Sequence, residues 1–203
     1  MKILLTGFTP FGRNPLNPSQ KLIEALPEIG KHGETLIKAI LPVDQVQAPK
    51  TLLAHLHQST PDAVLMFGLA SGRPKICLER VAINLQDFRI PDNAGVTIVD
   101  EPIVVDGPAA YFTTLPVRKM LSALQAEGIP STLSLSAGAY LCNQIFYTLM
   151  HEITQKQLTI KAGFIHLPAL PAQAAKSEKD LPSLSLDQEI QAAHILMAQL
   201  NPV

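Results

Sequence analysis

The chain has 203 residues, 47% of them hydrophobic, and its 16 Lys and Arg against 17 Asp and Glu give a formal net charge of −1. That length suits one compact domain with a sizeable core, and the near-neutral charge excludes the electrostatic footprint expected of a nucleic-acid or anionic-membrane binder. No apolar run reaches the roughly 18 residues of a membrane span.

Strand-like and helix-like stretches alternate along the chain. Ile3–Leu5 reads as a buried strand, because the N-terminus turns at Gly7 too soon to be a signal peptide. A Gly/Pro/Asn loop from Gly7 to Pro18 follows, and Ser19 is the expected N-cap of a short helix ending near Pro27. Thr35–Leu41 is β-like, and Val46–His57 has apolar residues at helical spacing. Ala63–Phe67 is a continuous apolar run, the pattern of a strand covered on both faces. Ile76–Leu85 alternates as one strand, and Arg89–Asp106 reads as an irregular excursion or hairpin.

Pro116–Glu127 is the next helix, with Gly128 as its stop. Ser131–Leu135 is a strand, Leu141–Thr154 a helix, Thr159–His166 a strand and Asp187–Leu200 the closing helix, after a Pro/Ala/Ser/Lys loop. This alternation predicts α/β layers around a largely parallel sheet. No internal repeat or linker divides the chain, so residues 1–203 are expected to form a single domain.

Cys142 stands where a strand gives way to a helix. Alone, it reads as a buried inert cysteine or as a nucleophile. A helix N-terminus favours a thiolate, and sites in open α/β sheets collect at the carboxyl ends of strands. His166 ends the apolar run Ala162-Gly163-Phe164-Ile165 and precedes Leu167-Pro168; it reads as a satisfied core histidine or as the base partner that a thiol needs. Glu79 lies in the otherwise apolar Ile76-Cys77-Leu78-Glu79, where a carboxylate is costly to bury without a partner. It is either paired with Arg80 or available to orient an imidazole. Arg89 supports an oxyanion or pairs with an acid. His32, His55, His57, His151 and His194 read as surface groups. The loop Gly7-Phe8-Thr9-Pro10-Phe11-Gly12 lacks both the Gly-Lys-Ser/Thr ending of a P-loop and the glycine spacing of a dinucleotide fingerprint. Its two phenylalanines form either an apolar wall or part of the core.

Cys77 and Cys142 are too few for a disulfide framework, which makes the cytoplasm the expected compartment. Cys77 has no partner at metal-ligand spacing, so no metal is expected.

With these residues assembled, the sequence resembles the pyroglutamyl peptidase I family of cysteine peptidases. The resemblance is carried by Leu4-Leu5-Thr6-Gly7-Phe8-Thr9-Pro10-Phe11-Gly12, Gly68-Leu69-Ala70-Ser71-Gly72-Arg73, Glu79-Arg80-Val81-Ala82-Ile83-Asn84, Arg89-Ile90-Pro91-Asp92-Asn93, Gly107-Pro108-Ala109-Ala110-Tyr111, Ala137-Gly138 to Cys142-Asn143, Gly163-Phe164-Ile165-His166 and Pro182-Ser183-Leu184-Ser185-Leu186-Asp187.

The resemblance implies a three-layer α/β/α sandwich around a twisted, largely parallel (mixed) sheet. It also implies a Cys-His-Glu triad falling on Cys142, His166 and Glu79, acting through a thioester acyl-enzyme on N-terminal pyroglutamyl peptides. Arg89 would support the oxyanion, Phe8 and Phe11 would wall the ring pocket, and Asn17 would be its polar contact. No cofactor is implied, and a dimer or tetramer is. Leu69, Ser71, Ala139 and Ala169 depart from the family's usual residues without touching the triad. The rivals are another cysteine hydrolase, such as a glutamine-amidotransferase domain, and a non-catalytic binding protein. The first is disfavoured because Cys142, flanked by Leu141 and Asn143, does not stand in a Gly-x-Cys-x-Gly elbow.

Overall fold

The computed structural model describes residues 1–12, 15–178 and 180–200. Positions 13–14 of the expected first loop and the last three residues of the expected domain therefore lie outside the described residues.

A six-stranded sheet forms the middle layer. Its strands are β1 (Lys2–Phe8), β2 (Thr35–Leu41), β3 (Ala63–Leu69), β4 (Ile76–Glu79), β7 (Ser131–Ser134) and β8 (Lys161–Leu167), in the order β2-β1-β3-β8-β4-β7. The pairs β1–β2, β1–β3 and β3–β8 are parallel; β4 runs antiparallel to β8 and parallel to β7. The sheet is thus mixed and mostly parallel, as expected. The continuous apolar runs of β1 and β3 follow from helices covering both faces.

Side-chain alternation sorts the core into two halves. One face packs Ile3, Leu5, Leu65 and Ile165 against α1 (Pro18–Ala25), α3 (Val117–Ala126) and α6 (Leu186–Ala198). The other packs Leu4, Val64, Met66 and Phe164 against α2 (Gln47–Ser59) and α4 (Leu141–Gln155). The result is the expected three-layer α/β/α sandwich. No described helix is long and apolar enough to cross a membrane.

Three expectations need correction. Asn17, not Ser19, caps α1: Pro18 occupies the first helical position, and Asn17 Oδ1 accepts the Ser19 N–H at 3.1 Å. A proline there is pre-set for the helix and lacks only a hydrogen-bond donor the helix would not use. Ser19 instead pins the end of β1, its Oγ accepting the Phe8 N–H at 3.0 Å.

Ile76–Leu85 is two strands, not one. The chain leaves the main sheet at Arg80, whose N–H donates to Ser134 O at 2.9 Å while its carbonyl accepts from Thr113 N at 3.0 Å. β5 (Val81–Ile83) then pairs antiparallel with β6 (Ala110–Phe112), a strand with no sequence-level expectation. Similarly, the loop expected before the last helix contains the short α5 (Pro171–Ala174). The segment from 87 to 100 is irregular, as the sequence suggests.

Candidate active site

Strand register brings the expected residues together. Gly68 and His166 are partners in the β3–β8 ladder, and Cys77 and His166 are partners in the β4–β8 ladder. Cross-strand partners point to the same face, and so does a residue two positions along either strand. His166, Cys77 and Glu79 therefore share the α4 face of the sheet. Glu79 is a diagonal neighbour of His166, within reach for a long side chain. The Glu79 carboxylate is 0% exposed and His166 4%. The His166 Nδ1 to Glu79 Oε1 distance is 2.8 Å. Since a carboxylate only accepts, Nδ1 carries the proton in this contact and Nε2 is left with its lone pair.

Cys142 comes from the other layer, as the second residue of α4. Helix α4 begins above the Gly68–His166 pair, and Gly68 makes the room: a Cβ there would lie 2.9 Å from Cys142 Sγ. Sγ thus sits over the position beside His166. No hydrogen bond joins Sγ to the His166 ring among the described residues. The N–H groups of Leu141, Cys142 and Asn143 precede the first bond of the helix, from Gln144 N to Tyr140 O. They form the positive end of the helix dipole next to the thiol.

The expected thiolate is not what this environment favours. Burial pushes the Cys142 thiol up to about 12, the nearby charge of Glu79 adds to this, and Arg73 opposes it. Burial likewise lowers His166, although its hydrogen bond to Glu79 works in the other direction. Desolvation is the largest influence on both groups, although Cys142 is only half-buried and borders the cavities described below. Both shifts favour a neutral thiol beside a neutral imidazole.

Two adjoining cavities open at Cys142. A narrow one is lined by Phe8, Phe11, Asn17, Val43, Leu69, Tyr140, Leu141 and Cys142. A wider recess of about 370 Å³ shares Phe11, Leu69, Tyr140 and Cys142 with it and adds Arg73, Asp87, Arg89 and His166. A groove of about 410 Å³ elsewhere, by Arg80, Phe112 and the start of α3, contains none of the expected site residues. Chemistry assigns the site to the cavities that hold the thiol, not to the larger groove.

Phe8 is not a loop residue as expected. It ends β1, is 3% exposed and belongs to the core while forming part of the cavity wall. Phe11 is half-buried on the loop, 6.3 Å from the Tyr140 ring between centroids. Asn17 is 1% exposed, and its Nδ2 donates to Thr9 O at 3.1 Å. Arg89 is exposed on the wall of the wider recess, whose lining also includes Asp87.

Comparison with known proteins identifies the family. The family model described as pyroglutamyl peptidase matches residues 1–200. This chain belongs to the pyroglutamyl peptidase family. It is 47% identical over 196 residues to a pyrrolidone-carboxylate peptidase of Vibrio vulnificus (strain CMCP6), covering 97% of this chain and 91% of the relative. It is 44% identical to one from Bacillus cereus (strain G9842), over 91% of this chain and 85% of that one. Its fold matches the crystal structure of pyroglutamyl peptidase I from Bacillus amyloliquefaciens with a TM-score of 0.94 at 39% identity, covering 98% of this chain and 94% of that one. A mutant pyrrolidone carboxyl peptidase from Pyrococcus furiosus gives 0.95 at 38% identity, over 98% of both chains.

The candidate site also includes residues that the sequence does not single out. Arg73 donates from Nη1 to Glu79 Oε1 at 2.7 Å, so the buried carboxylate pairs with Arg73 and His166 rather than with Arg80. The signal is available, since an unpaired carboxylate inside an apolar strand requires a cation, but the five residues between Arg73 and Glu79, part turn and part β4, hide which one. Val43, Leu69 and the adjacent Tyr140 and Leu141 join the narrow cavity from three separate segments, and no local pattern marks them.

Proposed function

We infer that this chain carries out the hydrolysis for which its family is named, removing an N-terminal pyroglutamyl residue from peptides as a cysteine peptidase, with Cys142 as nucleophile, His166 as general base and acid, and Glu79 as the group that orients the imidazole. The observation that carries the reading is the buried Glu79–His166 pair with the half-buried Cys142 beside it at Gly68, next to a small apolar cavity.

The chemistry follows from the protonation states. A neutral imidazole whose Nδ1–H is held by Glu79 presents Nε2 to the neutral thiol. His166 takes the thiol proton as Sγ attacks the pyroglutamyl carbonyl, and returns it to the leaving amine. A thioester remains, and water activated by the same nitrogen releases pyroglutamate. The Cys142 N–H at the start of α4 would receive the oxyanion, with Arg89 in support.

Recognition requires no charged group, since the lactam is neutral. Phe8, Phe11, Val43, Leu69 and Leu141 would surround the ring. Asn17 Oδ1 is engaged by Ser19, and one Nδ2 hydrogen by Thr9 O, which leaves the second Nδ2 hydrogen for a lactam carbonyl. No step uses a metal or cofactor.

We assign residues 1–203 to one catalytic domain, place the protein in the cytoplasm with both cysteines as thiols, and expect a dimer or tetramer. Ile90, Val96, Val99 and Val105 are exposed along one excursion of the chain and supply apolar surface for self-association. The test of the activity is hydrolysis of a pyroglutamyl chromogenic amide beside its prolyl and glutaminyl analogues. Turnover of the pyroglutamyl compound alone is expected; equal turnover of the prolyl compound would contradict the ring specificity.

A further inference from the structure

The turn after β3 delivers a guanidinium into the recess that holds the thiol and the imidazole. Gly72 takes a φ of 91° there, a left-handed conformation that glycine adopts without strain. The Arg73 N–H closes the turn on Ala70 O at 3.0 Å. The side chain then engages three acceptors. Nη1 donates to Glu79 Oε1 at 2.7 Å and to Ser134 Oγ at 3.3 Å, and Nη2 donates to Ser136 O at 2.9 Å. Ser134 ends β7, and Ser136 lies on the connection that leads to Cys142. Glu79 Oε1 serves both Arg73 and His166, while Oε2 has no hydrogen-bond partner among the described residues.

We propose that Arg73 is a positioning residue for this reaction: its planar fork holds the Glu79 carboxylate against the His166 ring and ties to that carboxylate the segment carrying the nucleophile. The proposal rests on the reading of Cys142, His166 and Glu79 given above. A carboxylate removed from water needs more than one neutral imidazole to offset its lost hydration. A guanidinium can satisfy several acceptors at once from one rigid plane, which an ammonium cannot.

Arg73 also acts through space. The titratable and charged groups around the imidazole are Glu79 and Cys77 from β4, Cys142 from α4 and Arg73 from the turn, with Asp87 and Arg89 on the wall of the same recess. Glu79 pulls the His166 pKa upward and Arg73 pulls it downward. Removing the guanidinium therefore leaves Glu79 unopposed and raises the basicity of His166, while also raising the Cys142 thiol further.

The experiment compares Arg73→Gln and Arg73→Lys with the parent protein in two assays. The first is kcat and KM for the pyroglutamyl amide against pH. The second is the pH dependence of Cys142 alkylation by iodoacetamide, read as the mass of the modified peptide, which needs no substrate turnover. For Arg73→Gln, kcat is expected to fall about tenfold or more with KM within about threefold. The acid limb of activity and the alkylation profile should both move to higher pH. Arg73→Lys, which keeps the charge but not the fork, should restore the acid limb and only part of kcat.

A loss confined to KM would make Arg73 a substrate contact and overturn the proposal, as would unmoved profiles in both assays. If Arg73→Gln does not fold, Glu79→Gln is compared with the Glu79→Gln/Arg73→Gln double variant. A residue that acts through Glu79 has little left to contribute there, so a further tenfold loss of kcat would overturn the proposal. A parent protein that alkylates at Cys142 but does not cleave the pyroglutamyl amide would refute the peptidase reading, while the alkylation profiles would still decide the role of Arg73.

Discussion

Gly68 and Cys142 meet across two layers of the fold: a Cβ built on Gly68 would come within 2.9 Å of Cys142 Sγ and 2.7 Å of Phe164 Cζ. The missing side chain on β3 is the space in which the thiol sits beside His166. Gly68→Ala should therefore push Sγ or the Phe164 ring aside. A displacement of about 1 Å in a reacting group can cost on the order of a hundredfold in rate. The expected result is a loss of that order in kcat, with the melting temperature changed by a few degrees and KM little affected. Normal kcat in a folded Gly68→Ala protein would show that the thiol does not depend on this gap.

The pH dependence follows from two opposite shifts. Burial lowers His166 below its ordinary value of 6.5 and raises the Cys142 thiol to about 12. The neutral pair therefore persists over a wide range, and the acid limb of kcat/KM should fall below 6.5. In the free enzyme, alkylation of Cys142 by iodoacetamide should be slow at neutral pH and quicken as pH rises. A plateau of fast alkylation extending well below neutrality would indicate a thiolate–imidazolium pair instead.

The ring pocket separates Phe11 from Phe8. Phe8 ends a core strand, so its truncation mixes stability with binding, whereas Phe11 is half-buried on a loop. Phe11→Ala should remove roughly 1–3 kcal/mol of transition-state binding, the usual scale for one apolar side chain. That corresponds to about ten- to a hundredfold in kcat/KM for the pyroglutamyl substrate. Alkylation of Cys142 by a small neutral reagent should barely change. A destabilised variant with unchanged kcat/KM would return Phe11 to the core.

Glu189 on α6 gives the stability of the molecule its own pH dependence. It is 0% exposed, both carboxylate oxygens lack a hydrogen-bond partner among the described residues, and burial raises its pKa from 4.5 to about 8. The folded state holds a proton that the unfolded chain releases above 4.5. The stability linked to that proton is fully present at acid pH and is lost as pH rises towards 8. Glu189→Gln should flatten this fall in melting temperature between pH 4.5 and about 8. An equally steep fall in the variant would assign the dependence to another group.

Much of this was legible in the sequence, for physical reasons that differ by element. The double-sided apolar runs of β1 and β3 announce buried strands, and a thiol at the start of α4 with a histidine near the end of β8 announces a candidate pair. The break at Arg80 was not legible, because Ile76–Leu85 alternates throughout and only its hydrogen bonds to Ser134 and Thr113 divide it between two sheets. The cap of α1 was misassigned to Ser19 because serine is a favoured capping residue, whereas Pro18 shifts the cap to Asn17. The thiol's protonation state was also misread. Helix position can be read along the chain, but burial depends on layers that meet only in three dimensions. Arg73 is not legible because its role shows only when nearby Glu79 on β4 and the distant Ser134 and Ser136 are brought together in space.

The most direct test of the central claim is kcat/KM on a pyroglutamyl chromogenic amide for the parent protein, Cys142→Ala and Cys77→Ala, with circular dichroism on the same preparations. Cys77 and Cys142 both flank His166, so only the nucleophile assignment separates them: Cys77 lies in the β4 ladder with its thiol donating to Lys75 O at 3.3 Å, and Cys142 opens into both cavities. The account predicts no detectable turnover in folded Cys142→Ala and most of the parent activity in Cys77→Ala. Comparable losses in both variants, or turnover surviving in Cys142→Ala, would contradict it.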